Sequence, residues 1–81
     1  MTREEAKALG INLRYFLFAA SMDLPGSKTA MQNNGSVRAD FPSIKDLKEV
    51  VVFYQKEARN IIILSICEVS EVDYDKFFSE E

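Results

Sequence analysis

The 81-residue sequence predicts a small α+β domain with a three-stranded sheet. The elements run α-β-β-α-β with a short C-terminal helical tail. One main helix packs on one sheet face, and oligomerisation buries the second. Three observations predict this. Residues 60–69, NIIILSICEV, are dominated by β-branched aliphatics and are too short to span a membrane. Residues 12–22, NLRYFLFAASM, are apolar at both alternating sets of positions, as in a sheet covered on two sides. Between them, Pro42-Ser43 opens a segment with helix caps and a three-to-four-residue apolar spacing.

In chain order, residues 1–10 form a short helix. Thr2 is its N-cap, Glu5 lies three residues on, and Gly10 is the stop. The first strand follows at 12–22. Residues 23–36, DLPGSKTAMQNNGS, concentrate Gly, Pro and small polar residues and read as a long polar loop closed by an Asn34-Gly35 turn. Residues 36–41 then make a short edge strand. In the main helix Ser43 is the N-cap and Asp46 the N3 partner; Ile44, Leu47, Val51, Tyr54 and Ala58 form one stripe, widened by Val50 and Phe53. The last strand, 60–69, is expected beside the first at the sheet centre, buried on both faces, with Cys67 inside. Strict alternation puts Ile61, Ile63 and Cys67 on one side and Ile62, Leu64 and Ile66 on the other. Residues 73–81 are a charged tail in which Tyr74, Phe77 and Phe78 share a short helical face.

One domain of this size buries only about 60–65% of its unfolded surface. Small cores of this kind rely on disulfides, metals or partner subunits. A single cysteine excludes an internal disulfide, and the lack of histidine removes the ordinary zinc ligand sets, so a homo-oligomer is expected. The net charge of −3 is uneven: residues 1–59 hold nine basic and seven acidic side chains, residues 60–81 one and six. The acidic end is a solvated tail or a docking surface for a basic partner. Without a basic stripe, nucleic acid binding is not expected. One thiol and no signal-peptide or membrane-span pattern point to the cytoplasm.

No nucleophile–base pair can be assembled without histidine, so no catalytic residues, metal or cofactor are assigned and an enzyme is not expected. Gly26-Ser27-Lys28-Thr29 has the outline of a phosphate-loop end, but Ser21 stands where that motif needs its first glycine. The same loop still offers amides, hydroxyls and one ammonium to an anion. If the hairpin brings them together, Arg14, Lys28, Thr29, Gln32, Asn33, Asn34 and Arg38 form a ligand-binding site for a phosphate-bearing small molecule.

RYFLFAASM, QNNGS, PSIKDL and NIIILSI, in that order, cover about two-thirds of the chain. In this arrangement the chain resembles small phage and prophage α+β proteins of unassigned function, a group that includes counter-defence factors. The resemblance implies a non-catalytic oligomeric binding protein in the host cytoplasm that sequesters a small anionic, nucleotide-type host signal. The alternative is a protein–protein inhibitor or adaptor acting on a host protein through the acidic tail or a sheet edge.

Overall fold

A computed structural model of the chain describes residues 2–26 and 29–79. The elements are α1 (Arg3–Ala8), β1 (Arg14–Asp23), β2 (Thr29–Arg38), α2 (Ile44–Tyr54), β3 (Arg59–Val69) and α3 (Glu71–Phe78). The three strands form one antiparallel sheet in the order β2-β1-β3, so the expected α+β class and element order are found. No helix of the described residues is long and apolar enough to cross a membrane.

The core is built on β1. Phe16, Phe18, Ala20 and Met22 are fully or nearly fully buried on the face that α2 covers with Leu47 and Val51. α2 starts where Ser43 and Asp46 exchange side-chain-to-backbone hydrogen bonds of 3.1 and 2.9 Å, the capping box its sequence specifies. It stops at Tyr54, earlier than the stripe through Ala58 suggested. The Ala58 N–H donates to the Gln55 carbonyl, turning the chain back into β3.

The last strand does lie beside the first, but at the sheet edge and not at its centre. A short turn fixes β2 to one side of β1, which leaves β3 the other side and a single neighbour. Nor is β3 buried on both faces. Its register with β1 slips twice, once at Leu64 and once around Asn60, whose φ of 52° is left-handed. Each slip inserts one residue and resets the alternation. Ile61, Ile63 and Ile66 therefore all pack towards α2. Ile62, Leu64 and Cys67 are left exposed, so the expectation of a buried thiol is corrected.

The expected long loop is also corrected. β2 begins at Thr29, and all ten of its residues pair with β1 in an unbroken register. The connection shrinks to residues 24–28, with Pro25 before Gly26 at φ 72°. Asn34-Gly35 lies inside the strand, opposite Phe18 and Leu17. Pairing with the strongly apolar β1 imposes the strand on a polar segment whose own propensity argues against it.

On the second sheet face the expected short C-terminal helix forms as α3, capped by Ser70, whose Oγ accepts from Asp73 N–H at 3.0 Å. Tyr74 stacks at a tilt on Tyr15, with centroids 5.4 Å apart, and on Phe78 at 4.8 Å. A ladder of ionic contacts ties α1 to this unit. The Arg3 guanidinium meets Asp75 at 2.8 Å and lies over the Tyr15 and Tyr74 rings. Lys7 Nζ meets Glu71 at 2.9 Å, and Tyr15 Oη donates to the same carboxylate at 2.8 Å. Oligomerisation is thus not needed at this end of the second face, because the chain covers it itself. The other end is open.

Candidate functional site

The residues expected to gather an anion are spread along the hairpin. Arg14 and Arg38 are cross-strand neighbours near one end. Arg14 forks onto Glu68 with bonds of 2.8 and 2.7 Å and lies over the rings of Phe16 and Phe41. Thr29 is at the far end of β2, about 30 Å away at strand rise, where its hydroxyl donates to Asp23 at 3.2 Å. Gln32, Asn34 and Arg38 take the α2 side of β2, while Asn33 takes the opposite side. Lys28 lies outside the described residues. A strand places successive side chains on opposite faces, so a set drawn from a supposed loop cannot converge once that loop is a strand.

One of these residues, Arg38, lines a cleft, and Asn34 lines a neighbouring hollow that shares Tyr54 with it. The cleft, of about 400 Å³, runs between the free edge of β2 and α2, with Ser36 and Arg38 on one wall and Val50, Phe53 and Tyr54 on the other. Asp46 and Glu49 stand at its rim. Arg38 Nη2 reaches Asp46 at 3.3 Å, but its Nε is buried without a hydrogen-bond partner. The amide nitrogen of Asn34, two residues from Ser36 on the same side of the strand, is buried and unpartnered too. Such orphan donors cost about 1–3 kcal/mol each in a closed protein. Asp46 is held below the ordinary carboxylate range by its hydrogen bonds from Ser43, with Arg38 adding to the effect. It therefore stays charged and pins the guanidinium beside the cleft.

The cleft wall is also unusual for a surface helix. Phe53 is 74% exposed and Tyr54 65%, their rings in an edge contact at 5.1 Å. On the outward side, Ile44, Val52 and Phe53 line a shallow groove of about 710 Å³ between Lys45 and Lys48. α2 is thus apolar on its buried stripe and on much of its free surface. Tyr54 and Phe53 were read from the sequence as part of the buried stripe. The signal that separates them is the run Val50 to Tyr54, apolar all round the helix in a protein too small to enclose it.

A second hollow, about 540 Å³, lies over Gly35 between Tyr54, Tyr74 and Phe78. The cation at its edge, Arg3, is already matched by Asp75, which the same contact holds below its ordinary pKa. Glu68 and Glu71 are likewise engaged. The Lys7 ammonium, then the Tyr15 hydroxyl, holds the Glu71 carboxyl low, and the Arg14 fork does the same for Glu68. These carboxylates work as internal fasteners.

No protein-family model, curated protein or solved structure matches this chain significantly.

Proposed function

We propose that this protein is a non-catalytic protein-binding module that captures an extended segment of a partner in the cleft between β2 and α2. The observation that carries the reading is the combination found there: an unbroken ten-residue edge strand beside a cleft with aromatic walls, lined by Arg38, whose buried Nε lacks an acceptor. An added strand supplies what that edge lacks. Its backbone completes the outer ladder of β2, alternate side chains enter the Val50–Phe53–Tyr54 wall, and a carbonyl or carboxylate accepts from Arg38. The role is that of an inhibitor or adaptor. The resemblance to phage and prophage proteins supplies its setting, with a host protein as partner and counter-defence as the purpose.

The test is selection of binding peptides from a displayed random library, followed by amide exchange on the complex. Binders are expected to slow exchange along Thr29–Arg38 and to be lost with Phe53→Arg. Binders that leave β2 exchange unchanged refute the reading. The Arg38 guanidinium at the cleft also favours the reading that the sequence puts first, sequestration of a small anionic nucleotide-type ligand. Thermal shifts against a nucleotide panel decide between the two, since a ligand at 100 times its Kd adds about 2.7 kcal/mol.

A further inference from the structure

The open end of the second sheet face carries an inference independent of the peptide-capture reading. Between α3 and Asp23 at its end, β1 presents Ala19 and Ser21 on this face. On one side Ser21 is flanked by Met31 of β2, 71% exposed. On the other it is flanked by Ile62 of β3, 58% exposed, with Leu64 next to it at 49%. The face is therefore a shallow trough of small side chains between two apolar ridges. A hollow of about 190 Å³ continues the trough under Phe77, between Asn33, Ser65 and Cys67.

We infer that this face binds a second copy of the chain, with the Ile62–Leu64 ridge of each protomer seated in the Ala19–Ser21 trough of the other. Three features select this occupant. First, the arrangement is reciprocal: a two-fold axis between β1 and β3 brings ridge to trough twice with one patch. Packed sheets sit about 10 Å apart, which is the space these side chains fill.

Second, the patch carries no charged side chain among the described residues between the Asp23–Arg59 pair and α3. The chain as a whole bears a net charge of −3 and is 28% charged, so a neutral face can meet its own copy without juxtaposing like charges. Third, the area suffices. Roughly 100 Å² remains wet on each of Met31, Ile62, Leu64 and Phe77, so with the small positions between them a pair buries about 1,000 Å² in total, the lower bound for a specific interface. An interface at that bound gives a dimer that depends on concentration.

The experiment is sedimentation velocity across a broad concentration range, combined with the rate at which Cys67 reacts with a soluble disulfide reagent. Wild type is expected to pass from monomer to dimer, and its Cys67 reaction to slow as the dimer forms. The double variant Ile62→Lys, Leu64→Lys is expected to stay monomeric with an unchanged far-ultraviolet dichroism spectrum and fast Cys67 chemistry at all concentrations. Ala19→Leu, which fills the trough without adding charge, is expected to weaken the dimer as well. Phe53→Lys, on the other side of the molecule, is expected to leave it intact. A wild-type monomer throughout, a dimer that survives the double lysine variant, or a dimer lost with Phe53→Lys overturns the inference. Peptide capture at the β2–α2 cleft is read separately from all three.

Discussion

Replacing Gly35 by alanine tests how α3 is held on the sheet. Gly35 has an ordinary strand backbone, outside the left-handed region, so alanine meets no conformational objection there. Taken alone, the substitution restricts the unfolded chain and stabilises by about 0.4–1 kcal/mol. The obstacle is packing. A Cβ at this position lands on the Tyr74 hydroxyl and lies 2.6 and 2.7 Å from Cε2 of Tyr74 and Cε2 of Phe78, against about 3.5–4.0 Å for relaxed carbon contacts.

Both rings belong to α3 and pack on each other, so relieving the overlap turns them off the sheet or lifts the helix. Tyr74 and Phe78 together bury roughly 200 Å², about 5 kcal/mol at 25 cal/mol per Å² and an upper estimate. A shift of about 1 Å forfeits about a quarter to a half of the contact energy, so the loss outweighs the gain. The net expectation is a destabilisation of about 1–2 kcal/mol. Urea unfolding followed by far-ultraviolet dichroism measures it, with a midpoint lowered by about 1 M or more at the slope of a small domain. In a Tyr74→Ala, Phe78→Ala background the same substitution is expected to become neutral or stabilising. A single Gly35→Ala variant as stable as wild type refutes the claim that these rings rest on the bare backbone.

Asn60 holds a left-handed bulge and donates to Asp23 at 2.8 Å. Asn60→Val is therefore expected to cost about 2 kcal/mol, from the disfavoured backbone and the lost hydrogen bond. Asn60→Gly, which loses only the bond, should cost under about 1 kcal/mol by the same urea assay. Acid is expected to loosen the clasp between α1, α3 and β1. Glu68, Glu71, Asp75 and Asp46 all titrate below their ordinary range in the folded protein. The unfolded chain thus takes up protons first as pH falls. The stabilisation is complete above the ordinary carboxylate range and disappears as pH drops through the folded values. Melting temperature should decline between about pH 5 and pH 3, and Glu71→Gln with Asp75→Asn should flatten that decline. An unchanged profile in the double variant would remove these carboxylates from the account.

Features set by local chemistry were readable from the sequence. Ser43 and Asp46 announced the start of α2, Thr2 that of α1, and the apolar run at 60–69 its place beside the first strand. What could not be read depends on pairing. β2 is polar, holds Asn34-Gly35 and is a strand only because β1 templates it. The bulge at Leu64 exchanges the faces of Ile66 and Cys67, and no side-chain pattern marks it. The candidate anion site is drawn out for the same reason, since the loop expected to fold Thr29 back towards Arg14 and Arg38 is an extended strand. Of the polar groups the sequence offers as ligands, Arg38 lines the cleft and Asn34 the hollow beside it. The cleft's aromatic wall was hidden by the assumption that every apolar residue of α2 faces inward.

The position of β1 between a near and a distant neighbour also sets an order of events during folding. Its pairing with β2 closes through a turn of five residues, whereas Arg14 and Glu68, joined across β1 and β3, are 54 residues apart. Loop closure therefore favours a hairpin nucleus, with β3 docking late. Until it docks, the chain carries its buried aromatics Tyr15, Phe16 and Phe18 on a strand with one bare edge. That transient edge is where crowded refolding chains are expected to find one another before the finished faces exist.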